Sequence, residues 1–328
     1  MDVNDSRECP GISNALEMHF LTTMYALEFI FGIIGNSIVV FGHIFCFKTW
    51  KSGNIYLFNL TLSDFAFLCT LPILVSSYSK GTWTYDITWC QANRFLLHAN
   101  LYTSILFLSF ISFDRYLLMK YPFRNHFLQK RSTATVFSIA VWVLVILELS
   151  PMFIFISVQN KEKQTLCTDY ASSGKPVESL IYSMILTIIG FLVPLYVMWF
   201  FYMKTHAFLK SHRSQFSGGL TYEKPLTLVM MAVAVFSVLF TPYHIMRNIR
   251  IASRMEFWKL SPCAMDAINV IYIFTRPVAF LNSVINPLFY FLMGDHFREM
   301  LMNKVRHFFK RFTICCENSF QKGSHSEG

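Results

Sequence analysis

Long apolar stretches separated by short polar breaks dominate this chain. Each stretch reaches about 20 residues or more, the length that an α-helix needs to cross the hydrocarbon core of a bilayer. The stretches lie near residues 20–47, 54–78, 87–120, 131–157, 178–206, 224–253 and 265–291. The pattern predicts an all-α membrane protein, a seven-transmembrane helix bundle whose two termini lie on opposite sides of the membrane.

The composition supports the membrane class. Hydrophobic residues make up 54% of the chain and charged residues only 14%, with 35 phenylalanines. A soluble protein needs far more polar surface, so soluble classes are excluded. The first sixteen residues mix acids with Cys9 and Pro10. They do not read as a signal peptide, and we expect the first span to direct its own insertion.

Lysine and arginine set the expected orientation. The first, third and fifth loops and the C-terminal tail are basic, whereas the opposite side mixes fewer basic residues with acids. By the positive-inside rule the basic side is cytoplasmic, which puts residues 1–19 outside a plasma membrane that residues 20–291 span. The net charge of +9 is therefore attributed to membrane topology, and no nucleic acid partner is expected.

Modification and anchoring signals lie at the two ends. Asn4-Asp5-Ser6 fits a glycosylation acceptor on the outside. Residues 292–312 carry apolar side chains on one face among basic ones, which predicts a short amphipathic eighth helix on the inner leaflet. In the cytoplasmic tail, 313–328, Cys315 and Cys316 are either palmitoylated or unmodified cysteines.

Four cysteines fall on the predicted outer side, where disulfides persist. Four cysteines allow three pairings. Cys90 opens the third span and Cys167 lies in the loop before the fifth, so a Cys90–Cys167 bond would pin that loop across the mouth of the bundle. A Cys9–Cys263 bond would then complete the set.

Enzymatic motifs are absent from the sequence. It contains no His-Glu-x-x-His, no phosphate-binding glycine loop and no Gly-x-Ser-x-Gly elbow. We therefore expect neither catalytic residues nor a metal centre, and the protein is not expected to be an enzyme.

Basic side chains in the outer half of the bundle are the first candidate site. An ionisable residue at membrane depth costs at least ~2.5 kcal/mol on insertion scales, so such residues suggest function. The candidates are Arg94, His98, Arg247, Arg250, Arg254 and Arg276. Arg94 and His98 are one helical turn apart and face the same way.

The depth of each basic residue in the membrane, and the acids near it, reduce this set of candidates. Arg254 is expected to extend to the outer interface, while Arg247 stays undecided. The nearest acids are Glu28 and Asp169. An unpaired buried guanidinium is costly, and its fork matches carboxylate or phosphate, so the site should bind a small anion. The predicted ligand-binding residues are Arg94, His98, Arg250 and Arg276, with Tyr25 and Tyr78 as hydroxyl donors.

A second series of residues resembles the landmarks of the rhodopsin-like G-protein-coupled receptors. In order, these are Gly35-Asn36, Asp64, Asp114-Arg115-Tyr116, Trp142, Pro194, Pro242 and Asn286-Pro287-x-x-Tyr290. One departure is Phe240, which stands where most of the family has tryptophan. The resemblance implies an activation switch formed by Asp114, Arg115, Tyr116, Tyr202, Phe236, Asn286, Pro287 and Tyr290. It also implies an allosteric sodium site at Asp64, Asn282 and Asn286, with no other cofactor.

Three segments, residues 98–108, 240–254 and 275–287, resemble a narrower group within that family. This group comprises receptors for small dicarboxylates, in a branch shared with nucleotide and other carboxylate receptors. The resemblance implies activation by succinate or a similar small anion and signalling through heterotrimeric G proteins of the Gi class, with Gq as a second class. Arrestin, receptor kinases and membrane lipids are the further partners it implies.

Two alternatives stay open. Phosphates and carboxylates both fit arginine, so a receptor for another carboxylate or for a nucleotide would show the same basic cluster. An organic-anion transporter also keeps arginines near the midplane. No inverted repeat is visible and the cluster is confined to the outer half, which argues against a transporter.

Overall fold

The computed structural model describes residues 12–46, 50–121, 126–161, 164–168, 170–211 and 220–293, with Met302 and Arg306. Within these ranges, seven helices are long and apolar enough to cross a membrane. They are α1 (Ile12–Phe45), α2 (Ser52–Lys80), α3 (Ile87–Lys120), α4 (Arg131–Phe155), α5 (Pro176–Ser211), α6 (Leu220–Ala252) and α7 (Pro262–Leu288, continuing to Met293). The predicted fold class and seven spans are confirmed.

The outward faces of these helices suit lipid rather than water. Large apolar side chains such as Phe31, Leu147 and Ile189 are more than half exposed. The most buried span is α3, in which 78% of an apolar 18-residue stretch lies inside the bundle. This central position lets α3 contribute residues near both ends of the bundle.

Several helices are interrupted. π-Helical turns occur at Glu17–Leu21 in α1 and Ile188–Leu192 in α5. In α2 a second segment begins at Leu71, just before Pro72. In α7 a new segment starts after Leu281, four residues beyond Pro277. Proline lacks a backbone N–H and clashes with the turn before it, so Pro287, which follows this break, disturbs the turn that begins at Ser283.

The first helix begins at Ile12, well before the expected start near residue 20. Part of the segment predicted to be an extracellular N-terminus is thus helical. Polar residues in this segment, including Ser13, Asn14 and Glu17, interrupt the apolar pattern, so the pattern did not predict a helix there. The early segment packs beside α7, where the rings of Phe20 and Phe274 lie 4.7 Å apart.

A β-hairpin in the loop between α4 and α5 was not predicted. Strand β1 (Ser157–Lys161) pairs antiparallel with β2 (Gln164–Thr168). Cys167 of β2 forms a disulfide with Cys90 at the outer end of α3, which confirms that pairing. The backbone N–H of Trp83 also donates to the carbonyl of Thr165 at 2.6 Å. These bonds hold the hairpin against the outer ends of α2 and α3.

Several predictions fall outside the described residues. Cys263 is disulfide-bonded, but its predicted partner Cys9 lies in the undescribed N-terminal segment, as does Asn4. Cys315 and Cys316 are likewise outside. Of the predicted eighth helix beyond α7, only residues 302 and 306 are described, and both are helical.

A glycine allows α3 and α5 to approach closely. A Cβ on Gly190, in the π turn of α5, would lie 2.7 Å from two ring atoms of Tyr102. The Tyr102 side chain is fully buried. The Tyr102 ring can therefore take this position because residue 190 is a glycine and has no side chain.

We expect Gly190→Val to lower the free energy of unfolding by about 1–3 kcal/mol, since an overpacked interior forces backbone shifts. The measurement is the Tm of the purified protein in detergent. Ala140→Val, on the exposed face of α4, is the matched control and should leave Tm unchanged. Equal Tm values for the two variants would contradict the close packing described here.

Candidate functional site

A cavity of about 330 Å³ lies at the outer end of the bundle. Three of the predicted ligand-binding arginines, Arg94, Arg250 and Arg276, line it together with Tyr78. They come from α3, α6, α7 and α2, so the cavity brings together residues that are far apart in sequence. Small-molecule sites have volumes of about 300–1,000 Å³, and this cavity is at the small end of that range.

Arg276 contacts a hydroxyl group, two aromatic rings and a carboxylate. Its Nη2 donates a hydrogen bond to the hydroxyl of Tyr78. The guanidinium lies 5.5 Å from the ring centroid of Tyr78 and 5.9 Å from that of Tyr272. Its Nη1 lies 3.6 Å from a carboxylate oxygen of Glu17. Aromatic faces and a single carboxylate therefore surround this cation among the described residues.

The acid beside Arg276 differs from those expected. The sequence suggested Glu28 and Asp169 as the nearest acids, whereas the structure places Glu17 there. Glu28 is buried in α1, and neither of its oxygens has a hydrogen-bond partner within the described ranges. Asp169 is not among the described residues. Glu17 was missed because it lies before the expected start of the first span.

The disulfide-linked hairpin positions Arg94. Its Nη2 donates to the carbonyl oxygen of Cys167 at 2.7 Å. One turn deeper, His98 does not line the cavity. Its Nδ1 lies 2.8 Å from the carbonyl oxygen of Arg94, and its Nε2 lies 3.4 Å from the hydroxyl of Tyr243. His98 thus contacts the backbone of Arg94 on the side away from the cavity.

Tyr25 also lies behind the cavity wall. It is fully buried, and its ring centroid is 6.0 Å from that of Tyr78. Its hydroxyl has no hydrogen-bond partner in the described part of the chain. Tyr25 interacts electrostatically with both Arg276 and Arg94, so it is close to the basic cluster without touching the cavity.

Arg247, which the sequence left undecided, belongs to a buried polar network. Its side chain is fully buried and does not line the cavity. It donates to the Tyr102 hydroxyl at 2.9 Å, to Ser183 Oγ at 3.0 Å and to Thr187 Oγ1 at 3.1 Å. These hydroxyl groups join α6 to α3 and α5.

An aromatic group from the outer loop covers this network. The guanidinium of Arg247 lies 5.5 Å from the ring centroid of Tyr170. Burial raises the pKa of the Tyr170 phenol well above its usual value, and the nearby Arg247 only partly opposes this. The phenol therefore stays neutral at physiological pH and provides an aromatic face rather than a counter-charge.

Arg254 binds the outer loop. It donates to the carbonyl oxygens of Ala171, Ser173 and Gly174 at 2.8–3.2 Å. The sequence had assigned this residue to the membrane interface. In the structure its hydrogen bonds fix the end of the loop that precedes α5, and it does not line the cavity.

The predicted sodium site is partly assembled. Asp64 is fully buried and accepts hydrogen bonds from Asn100 at 2.8 Å and from Asn286 at 2.9 Å. Ser283, which the sequence reading did not include, donates to Asn100. Asn282 makes no side-chain hydrogen bond to any described residue. The amide oxygen of Asn286 also lacks a partner there, so an oxygen ligand beside a buried carboxylate fits a hard cation.

The C-terminal end of α3 carries the first part of the predicted activation switch. Arg115 lies 3.8 Å from the carboxylate of Asp114, which also accepts a hydrogen bond from Ser52 of α2. A Cβ on Gly53 would lie 2.6 Å from Arg115 Nη2. The guanidinium is therefore held between its own neighbour and the start of α2.

Aromatic residues of the switch lie in α3, α5 and α6. Phe236 and Phe240 are fully buried, with ring centroids 4.6 Å apart. The ring of Tyr116 lies 5.6 Å from that of Phe201. Tyr202 is half-buried on α5.

The remaining switch residues, Asn286, Pro287 and Tyr290, lie in α7, which packs against α1. The side-chain amide of Asn36 donates to the carbonyl of Ser283 at 2.9 Å. A Cβ on Gly35 would lie 3.0 Å from the Pro287 ring. Tyr290 continues α7, although its side chain is outside the described part of the structure.

Comparison with known proteins gives one family and several relatives. Residues 35–290 match the family described as 7 transmembrane receptor (rhodopsin family). The chain is 59% identical over 303 residues to Succinate receptor 1 of Rattus norvegicus, covering 92% of this chain and 95% of that receptor. The mouse receptor of the same name is also 59% identical, over 298 residues, which cover 91% and 94%. A purinoceptor of Homo sapiens is 33% identical over 308 residues, covering 93% and 82%. These relatives are receptors rather than enzymes.

The Arg247 network makes a quantitative prediction. Tyr102→Phe removes a hydrogen bond to a buried cation, which should cost about 1.5–3 kcal/mol of stability. Tyr182→Phe removes a bond of similar length, 3.0 Å, to the carbonyl of Glu148, and should cost about 0.5–1.5 kcal/mol because both groups are neutral. The Tm of each purified variant measures the difference. An equal loss of stability in the two variants, or a larger loss in Tyr182→Phe, would show that the hydrogen bond from Arg247 to Tyr102 is not the stronger of the two.

Proposed function

The chain belongs to the rhodopsin family of seven-transmembrane receptors, and we propose that extracellular succinate is the ligand that activates it. The observation that carries this proposal is the convergence of Arg94, Arg250 and Arg276 in one small cavity. Two relatives that are 59% identical to the chain are named as succinate receptors. Physical chemistry supports a compact anion, and the relatives make succinate the leading choice.

In this proposal the two carboxylates of succinate bind at different arginines. One pairs with Arg276 and the hydroxyl of Tyr78, which already lie together on one wall. The other pairs with Arg94, whose position the Cys167 carbonyl fixes. Arg250 contributes positive charge from α6. His98 and Tyr25 act behind the wall, His98 through its contact with the backbone carbonyl of Arg94 and Tyr25 through its ring beside Tyr78.

Succinate would thus link α3, α6 and α7. A ligand shifts a conformational equilibrium only by its differential affinity for the two states. We propose that bridging these helices favours a state in which α6 moves outward at its cytoplasmic end. Release of Arg115 from Asp114 would then open a surface for a heterotrimeric G protein of the Gi class, with Gq as a second class. Arrestin, receptor kinases and membrane lipids are further partners in this proposal.

Location and the sodium ion complete the proposal. The receptor would lie in the plasma membrane with its N-terminus outside, so that the cavity faces extracellular ligand. A sodium ion bound by Asp64 and Asn286 would supply positive charge beside a buried carboxylate. It would favour the inactive packing, because the cluster joins α2, α3 and α7.

We expect Arg276→Ala to abolish the response to succinate while surface expression stays normal, because the variant loses the cation that Tyr78 orients. The measurement is inhibition of cAMP production in cells that express each variant. Lys175→Ala is the control, since it removes an exposed cation at the outer end of α5 that does not line the cavity, and it should leave the response unchanged. A normal concentration–response curve for Arg276→Ala would remove Arg276 from the site.

A nucleotide is the second candidate ligand, supported by the 33% identity to the human purinoceptor. Cells expressing the chain can be exposed to succinate, 2-oxoglutarate, lactate and ADP, with cAMP and calcium as readouts. We expect succinate to act at the lowest concentration, because its two carboxylates match two arginines in a small cavity, whereas lactate has one carboxylate and 2-oxoglutarate has a longer chain. A response to ADP without one to succinate would reverse this assignment. Uptake of labelled succinate without nucleotide exchange on a G protein would instead indicate a transporter.

A further inference from the structure

The carboxylate of Glu17 lies where a ligand carboxylate would bind. We propose that Glu17 is a tethered competitor of the ligand: it occupies Arg276 in the resting receptor, and a ligand carboxylate must displace it. This inference rests on the proposed function, since it requires that the cavity bind a small carboxylate. It assigns Glu17 a role in setting the concentration of ligand to which the receptor responds.

The contacts of Arg276 show what Glu17 occupies. The two terminal nitrogens of this guanidinium have different partners, since Nη2 donates to Tyr78 while Nη1 faces Glu17. A carboxylate ligand that binds arginine in two-point fashion needs a pair of N–H groups on one edge of the fork. Glu17 itself lines the cavity. The ligand and Glu17 therefore compete for the same N–H groups.

The Glu17–Arg276 pair has the character of an exchangeable contact. Its 3.6 Å separation is longer than the 2.7–2.9 Å of a strong charge-assisted bond. The Glu17 side chain is 37% exposed, whereas that of Arg276 is 8% exposed. Partly hydrated pairs of this kind contribute little. Replacement by a ligand carboxylate keeps one negative charge beside Arg276, so the buried cation is paired both before and after exchange.

A change in the local helix geometry would move Glu17 away from Arg276. Glu17 is the first residue of the π turn Glu17–Leu21. A π turn contains roughly one residue more than an α turn, and each α-helical residue turns the chain by about 100°. Conversion of this turn to α-helical geometry would therefore rotate Glu17 about the axis of α1. Phe20, which packs on Phe274 of α7, lies within the same turn.

The test is the affinity of the full-length receptor for labelled succinate, together with the concentration giving half of the maximal response. Glu17→Gln keeps the size of the side chain and removes its charge. We expect both the Kd and the half-maximal concentration to fall by about two- to fivefold, as loss of a weak competing ion pair would give. The maximal response should stay unchanged. Glu17→Ala, which removes the same carboxylate and favours the helix, should give the same gain.

Glu178→Gln is the matched control. It removes a negative charge from the outer end of α5, where Glu178 pairs with Lys175 at 3.2 Å and does not line the cavity. We expect less than about a twofold change, because exposed charges are screened over about 10 Å. A gain of equal size in this control would mean that general electrostatic attraction, rather than competition at Arg276, explains the effect, and would overturn the proposal.

The outcomes separate this inference from the proposed function. Unchanged or weaker binding by Glu17→Gln and Glu17→Ala, with succinate still active on the unmodified receptor, would overturn the competitor role alone. Failure of the unmodified receptor to bind succinate at all would overturn both. Tighter binding by the two Glu17 variants and not by Glu178→Gln would support it.

Discussion

A guanidinium withdrawn from water must find partners inside the bundle, and Arg247 and Arg276 do so in different ways. Arg247 is fully buried, and hydroxyl groups on α3 and α5 accept its hydrogen bonds. Arg276 faces a cavity, where a tyrosine and one partly exposed acid are its partners. Only the second arrangement leaves room for an incoming anion. The same physical requirement thus produces a structural residue in one case and a binding residue in the other.

The outer loop makes this arrangement rigid. The Cys90–Cys167 disulfide fixes β2 over the end of α3, and the carbonyl of Cys167 accepts a hydrogen bond from Arg94. On the other side, Arg254 holds three carbonyl groups near the start of α5. A loop fastened at both ends keeps its backbone dipoles in fixed positions. The cavity is therefore largely formed before ligand arrives, which reduces the entropy lost on binding.

Much of this architecture could be predicted from the sequence, because lipid imposes a simple pattern. Seven apolar spans and the Cys90–Cys167 bond followed from length, charge and position. Helical spacing put Arg94 and His98 on one side of α3. Spacing gives the direction in which a side chain points, but not the residues that it contacts. It therefore did not show that His98 lies below the cavity, or that Arg247 meets Tyr102. Glu17 was missed because polar residues in the first turn of α1 resemble a solvated terminus. Contacts between distant helices depend on packing, which a single sequence does not display.

The central claim is that Arg276 and Arg94 bind the two ends of one small dianion. A density map of the receptor purified with saturating succinate and bound to a G protein tests this directly. The account predicts a compact ligand in the cavity, with one carboxylate within hydrogen-bonding distance of Arg276 and Tyr78 and the other beside Arg94. Glu17 should have moved away from Arg276. Ligand density elsewhere in the bundle, or an unliganded cavity in an active complex, would contradict the account.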